Sequence, residues 1–568
     1  MTEAQMTHER VDDIPVLLHV MHERLGFDQA LDKLVPRHGN WLGLSMGQVM
    51  VTWLTHILSE SSHFMNPVRE WAKARPETLS RLLGQPLRET DFMDDRLSEV
   101  IRTLSDNQLW HALEASVNQQ LLRVYRLPVK RIRLDTTTAK VDSAQAASVL
   151  FQRGYSKDHR PDLPQLKVML AALDPLGALL GADVVAGNVA DDGLYVPMID
   201  RLLEQLDARG LLFIGDSKMS ALATRAHIAG RGHAYLLPLA QVGQVPQQLV
   251  EWIAKANRGD VSLTRLRAED DSLWGEGYEF RRAQSHQPAD GPLSQWHERV
   301  LVVRSTRFAA AAKRGLQQRL QRAQSAIKAL TPPRARGHRQ FTAEAPLREA
   351  VQAILDKHAV SDLLSVSLKP ELEQRTVRTY GDRPARVEHT QRYVVSVRRK
   401  PAAIQAYEQT LGWRAYVSNT SRKQLPLAEA VQVYCDEWLI ERDCQRLKGR
   451  PLSLSPLWLT RADHAIGMTR MLTLAARVLA LVEYDVRCQL HETQRTLTGL
   501  FTGQASRATD RPTTERLLKA FSQIALVVIR SGSRVQRYLT PLSALQKTIL
   551  RLMHCPASLY SQLPLESG

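Results

Sequence analysis

The chain has 568 residues, 44% of them apolar and 24% charged, which is ordinary for a globular protein but too long for one hydrophobic core, so roughly two to four domains are expected. Its 75 Lys and Arg against 59 Asp and Glu leave a net charge of +16 and a pI near 9.8, which favours a polyanionic partner and salt-sensitive binding. Cys435, Cys444, Cys488 and Cys555 have no C-x-x-C spacing, which argues against a disulfide scaffold or a cysteine-held zinc. Residues 1–10 lack the apolar core of a secretory signal, and the closest approach to a membrane-spanning run, 471–482, carries Arg477. The expectation is a soluble cytoplasmic protein with no membrane partner.

Residues 1–125 read as a helical N-terminal domain. Val16, Leu17, Val20, Met21 and Leu25 recur at helical spacing, and similar patterns cover 46–57 and 97–122. Turn signals at 36–40 and 84–86 separate them. Such a domain serves DNA contact or oligomerisation equally well, because period alone singles out no recognition helix.

From about residue 126 the pattern changes to strands, predicted over 129–135, 166–174 and 178–185, with Pro175-Leu176-Gly177 as a turn. Asp191 can cap a helix carrying Met198, Ile199, Leu202, Leu203 and Leu206, which Gly210 stops. Residues 211–215 are apolar on both faces, as in a central strand covered from both sides. A helix over 221–229 and a strand over 233–239 complete the first part of a mixed α/β core, 126–240.

Residues 241–425 read as an insertion. Strands are predicted over 261–267, 278–282, 297–304, 364–368 and 392–398, and helices near 306–330 and 345–357. Three basic runs fall here: Lys313, Arg314, Arg319, Arg322 and Lys328; Arg334, Arg336, His338 and Arg339; and Arg398, Arg399 and Lys400. One such run is ordinarily a solvated face, whereas three in one insertion favour phosphate contact. The core resumes over 426–490, with amphipathic helices over 427–449 and 466–490. A helical C-terminal region, 491–568, includes a helix over 511–529 with Pro512 in its first turn.

Three carboxylates stand out. Asp135 and Asp216 each end an apolar strand, and Glu441 lies in the helical pattern of 427–449. Strand-end aspartates commonly just start turns. Two of them with a third carboxylate supply what a divalent-metal site for phosphoryl chemistry needs. Tyr434, Glu441 and Lys448 are seven residues apart, about two helical turns, and so are predicted to share one stripe of a single helix, with Arg446 and Arg450 adding charge beside it.

These segments resemble the bacterial insertion-sequence DDE transposases, which have an RNase H-like core interrupted by a β-rich insertion. Leu134-Asp135-Thr136-Thr137-Thr138 is similar to the first-aspartate segment, and residues 154–163, GYSKDHRPDL, to the stretch that follows it. Gly187-Asn188-Val189-Ala190-Asp191 resembles the Gly-Asn-x-x-Asp loop. Ile214-Gly215-Asp216-Ser217-Lys218-Met219 resembles the second-aspartate segment, and 434–448 the Tyr…Arg…Glu…Lys signature. Glu437 stands where that signature has arginine.

The resemblance implies metal-dependent cleavage at the ends of a mobile element and strand transfer into target DNA. Asp135, Asp216 and Glu441 would be the catalytic residues and the ligands of two Mg2+ ions, with Mn2+ able to substitute. Tyr434, Lys448, Arg446 and Arg450 would contact DNA, and Thr136, Thr137 and Asn188 would shape the pocket around the ligands. The implied partners are double-stranded DNA, as terminal inverted repeats and target, and further copies of the chain in a dimeric or larger synaptic complex on nucleoid DNA. Two alternatives stay open: a catalytically silent DNA-binding relic, and an RNase H-fold nuclease.

Overall fold

The computed structural model describes residues 5–37, 39, 41–142, 148–267, 271–288, 291–333, 335, 338, 340–379, 381, 384–532 and 534–565. His38 and Asn40 of the first turn signal, and Arg334, Arg336 and Arg339 of the basic insertion, lie outside the described residues. The chain forms two compact units. One comprises Met1–Leu237, Ser285–Trp296 and Val433–Gly568, and the other Pro238–Gln284 and His297–Gln432.

The first unit opens on a strand that the helical pattern does not announce, β1 (Gln5–Arg10). Helices follow. Met46–Glu60 begins at a reciprocal cap in which Ser45 Oγ accepts from Gln48 N and Gln48 Oε1 accepts from Ser45 N, both at 3.1 Å. The single helix expected over 97–122 is two, Asp94–Ser105 and Asn107–Tyr125. Asp106 divides them because its backbone turns extended and its carboxylate caps Leu109 N at 2.8 Å.

Five strands then build the core sheet: β2 (Arg131–Lys140), β3 (Gln165–Asp174), β4 (Ala178–Ala186), β5 (Leu212–Gly215) and β6 (Ala234–Pro238). Their order is β4-β3-β2-β5-β6. The first three form an antiparallel meander, and β5 runs parallel to β2 and to β6, the RNase H-like arrangement. The parallel pairs require crossovers, supplied by the helices Tyr195–Gln205 and Leu222–Gly230. Every residue of β3 and β5 is buried, as strands covered on both faces must be.

The second unit carries β7 (Thr264–Arg267), β8 (Leu273–His286), β9 (Ser294–Ser305), β10 (Leu364–Val377), β11 (Arg386–Arg399) and β12 (Trp413–Ser418). β12, β9, β8 and β7 are hydrogen-bonded in that order, and β10 with β11 makes a separate antiparallel ribbon. The root of the ribbon packs with the helices Thr306–Ala329 and Glu344–His358 on a core that includes Leu316, Leu320, Ile327, Leu347 and Val395.

The amphipathic run over 427–449 divides into Leu427–Cys435 and Trp438–Lys448, the second of which lies in the first unit. The helix Ala462–Glu492 has the length and composition of a membrane span, with a mean hydropathy of 1.6, but 94% of that window is buried inside the protein. The helix expected over 511–529 stops early. Thr514–Lys519 is helical, while Ala525–Ser531 forms β13, which pairs with β1 and with β14 (Arg534–Leu539). The cause is the run Leu526-Val527-Val528-Ile529, rich in β-branched residues, which buries Leu526 and Val528 on one face at period two.

Candidate active site

β2 and β5 are neighbours in parallel register, with Leu134 opposite Gly215, so the next residue on each chain is an aspartate. Adjacent strands lie about 4.8 Å apart, so Asp135 and Asp216 stand side by side just past the carboxyl end of this parallel pairing. Asp216 follows the last residue of β5, whereas Asp135 lies within β2, which runs on to Lys140 beside β3, five residues past the strand end expected at 135. Gly215 permits the approach. A Cβ there would stand 2.5 Å from Met219 Sδ and 3.3 Å from Leu134 O.

Each carboxylate commits one oxygen to the protein. Asp135 Oδ1 accepts from Thr136 N and from Lys157 Nζ, both at 2.7 Å. Asp216 Oδ1 accepts from Tyr195 Oη at 2.7 Å and Lys218 N at 2.9 Å. Among the described residues neither Oδ2 has a hydrogen-bond partner. Burial pushes the Asp135 carboxyl up, Lys157 draws it back down, and Asp216 adds a smaller upward push. Burial opposes the charge on Lys157, yet Asp135 and Asp216 hold its ammonium above the ordinary lysine value. Tyr195 is wholly buried, and burial with the two neighbouring carboxylates keeps its phenol protonated as a donor.

The loop over 150–163 is fastened across this site. Gln152 and Gln165 exchange backbone hydrogen bonds at 3.1 Å, Gln165 Nε2 donates to Tyr155 O at 2.9 Å, and Lys157 N donates to Thr138 Oγ1 at 3.3 Å. The Gly-Asn-x-x-Asp loop packs on it through Gly187, where a Cβ would stand 2.1 Å from Gln165 O and 2.5 Å from Gln152 O. Lys167 Nζ, buried on β3, bonds Asp191 Oδ1 at 2.6 Å and ties down the other end of that loop. Thr136 and Thr137 are buried within β2, and Asn188 is exposed in the loop.

The Glu441 helix, Trp438–Lys448, packs against β2 and β3. Glu437, Glu441, Cys444 and Lys448 follow one another at intervals of four, three and four residues, which puts them on one stripe. That stripe faces the aspartates. Burial pushes the Cys444 thiol up, with Asp135 next in effect, and Lys448 Nζ bonds Asp158 Oδ1 at 2.6 Å. Glu437 is half-buried, and burial, then Glu441, then Asp135 raise its carboxyl against a hydrogen bond from Tyr434. Glu441 is exposed at the rim. Among the described residues no group of three or more His, Cys, Asp and Glu side chains is close enough to hold one ion.

Two sequence expectations change here. Tyr434 belongs to the preceding helix, Leu427–Cys435, so it shares no helical stripe with Glu441 and Lys448, and it is buried with its phenol on Glu437. Arg446 is buried between Glu483, at 2.6 Å, and Glu515, at 3.0 Å, where it joins helices and is closed to DNA. Arg442 also pairs with Glu483. Arg450 is exposed, and Lys448 is partly so. Sequence reasoning missed Lys157 and Tyr195 as individual site residues. Lys157 lies in the quoted GYSKDHRPDL stretch, whereas Tyr195 had no signal beyond its helix.

The sheet order and the paired aspartates on adjacent parallel strands define an RNase H-like acidic site. The transposase DDE domain family matches residues 131–476, more than half of the chain, and the chain belongs to that family. Its general function is therefore that of a transposase, a protein that acts on DNA. No curated protein matches the chain. Among solved structures, a piggyBac transposase in a synaptic complex with hairpin DNA is similar over 98% of this chain and 83% of that one, at 8% identity and a TM-score of 0.34.

Proposed function

We propose that this protein cleaves DNA at the ends of an insertion sequence and joins the freed 3′ ends to target DNA in a metal-dependent reaction. The observation that carries this reading is the pair Asp135 and Asp216, set on adjacent parallel strands, each with one oxygen held by protein donors and the other open. That donor set fits a hard divalent cation, which takes few protein carboxylates and completes its shell with water and phosphate oxygen. Asp135 and Asp216 would hold two Mg2+ ions, or Mn2+ in their place, and Glu441 would complete the set from its exposed position on the facing helix. When bound, the ions supply activation of the attacking water or 3′-hydroxyl and stabilisation of the leaving oxygen.

The chain's own groups do the rest. Tyr195 and Lys218 N fix the rotamer of Asp216, and Thr136 N with Lys157 fixes that of Asp135. Thr136 and Thr137 are buried in β2 next to Asp135, and Asn188 and Arg450 are exposed where a DNA backbone could reach them. Terminal inverted repeats and target duplex are the proposed partners, in a complex of two or more copies that brings both ends of the element together.

The test is strand cleavage on a linear fragment carrying an element end, in Mg2+ or Mn2+, beside a gel-shift assay on the same DNA. Asp135→Asn, Asp216→Asn and Glu441→Gln should each abolish cleavage and leave binding intact, while Glu437→Gln retains cleavage. Retained cleavage in either aspartate variant refutes the reading. Loss in Glu437→Gln with retention in Glu441→Gln would move the third carboxylate to Glu437. A wild-type chain that binds without cutting would be a DNA-binding relic, and one that cuts RNA–DNA hybrids without regard to element ends would be an RNase H-fold nuclease.

A further inference from the structure

Lys157 is the one cation bonded directly to Asp135 or Asp216 by a side chain among the described residues. Its ammonium lies 2.7 Å from Asp135 Oδ1 and also donates to Thr136 O, and its side chain is only 29% exposed. It does not arrive there as a loose surface lysine. Its own backbone N–H is bound to Thr138 Oγ1, and the next residue, Asp158, is bound to Lys448 on the Glu441 helix. Two consecutive residues of one loop thus engage both sides of the site.

Two carboxylates side by side on adjacent strands repel each other, and a cation in contact with one of them relieves that repulsion. A divalent ion approaching the same carboxylates meets a positive charge already in contact with one of them. The geometry points to Lys157 as an internal counter-cation of the Asp135–Asp216 pair, a positioning residue that competes with divalent metal and so sets the affinity of the site for it. This rests on the reading above that the two aspartates take divalent metal. Neutralising Lys157 removes the competitor and should tighten metal binding, whereas a residue that merely anchored the loop would weaken binding or leave it unchanged when replaced.

The experiment is Mn2+ titration of the full chain without DNA at pH 8, followed by the electron paramagnetic resonance signal of free Mn2+ and by calorimetry. Wild type, Lys157→Met, Lys157→Arg and the double variant Asp135→Asn/Asp216→Asn are compared. Lys157→Met should bind Mn2+ roughly tenfold or more tightly than wild type, as expected for loss of a unit charge in contact with the site. Lys157→Arg, which keeps the charge, should stay within about threefold of wild type, and the double aspartate variant should lose the site. Lys157→Gln keeps a donor for Thr136 O without the charge and should follow Lys157→Met, so the comparison survives if the methionine variant folds poorly. Unchanged or weaker binding in both neutral variants, with the site still lost in the aspartate variant, overturns the role of Lys157 and leaves the metal reading standing. Wild-type affinity in the aspartate variant overturns both.

Discussion

Replacing Arg477 with methionine tests how the long buried helix Ala462–Glu492 is held. Arg477 and Glu114 are both fully buried, with Nη2 at 3.1 Å from Oε1, and Nη1 donates to Asn118 Oδ1 at 3.0 Å. Glu114 also accepts from Ala182 N at 2.9 Å and has Arg201 at 3.5 Å from its other oxygen. Burial lowers Arg477 to about 10, and it raises the Glu114 carboxyl, against which Arg201 and then Arg477 pull it down. Removing one partner of a buried pair costs about 3–5 kcal/mol. Arg201 remains as a second cation, so the lower end of that range applies, which for a unit of this size corresponds to a fall in Tm of roughly 3–4 °C. Thermal melting by circular dichroism measures this, and hydrogen exchange over 462–492 localises it. The double variant Arg477→Met/Glu114→Gln, which leaves no buried charge unpaired by Arg477, should recover most of the loss. A shift below about 2 °C in the single variant, or a double variant as damaged as the single, would show that the pair does not hold the helix.

Asp13 is almost wholly buried, and burial raises its carboxyl to about 6 from 3.8. Between those values the folded chain keeps a proton that the unfolded chain has released, so this group's contribution to stability falls as pH rises through the window and stays low above pH 6. Asp13→Asn should therefore raise the Tm at pH 7.5, by the equivalent of about 3 kcal/mol at most, and do little at pH 4; equal melting of the two chains at pH 7.5 would contradict it. Gly187→Ala should loosen the loop over 150–163, because its Cβ meets Gln165 O at 2.1 Å, and limited proteolysis should then cut there first. An unchanged digestion pattern would mean the loop is held by its other bonds. Tyr195→Phe removes a 2.7 Å hydrogen bond to Asp216 and should slow cleavage roughly tenfold or more without changing DNA affinity, whereas wild-type kinetics would show that the phenol does not position the carboxylate.

The chain order of strands and helices in the core was legible because each strand is a short apolar run bounded by turn residues, as at Pro175-Leu176-Gly177, and because β5 is apolar on both faces. The two aspartates were legible for the same reason: each directly follows such a run. Local pattern did not reach the breaks inside apparently continuous helices. Asp106 divides one by capping the next, and the chain turns at 436–437 within what reads as a single amphipathic repeat. The strand β13 was hidden because its partner, β1, is some 520 residues earlier in the chain, and pairing at that distance leaves no local period.

What the sequence by itself determined is a set of local preferences and chemical groups: the alternation of core strands and helices, the basic balance, and carboxylates that directly follow apolar runs. The tertiary structure decided which groups meet. Parallel register between β2 and β5 put Asp135 beside Asp216, loop closure delivered Lys157 to one of them, and the crossover helix delivered Tyr195 to the other. It also withdrew Arg446 into a buried contact with Glu483 and Glu515, though its place beside Lys448 in the chain made it look available to DNA. The physical reason is that side-chain partnership depends on distance and burial in three dimensions, and residues far apart in the chain set both.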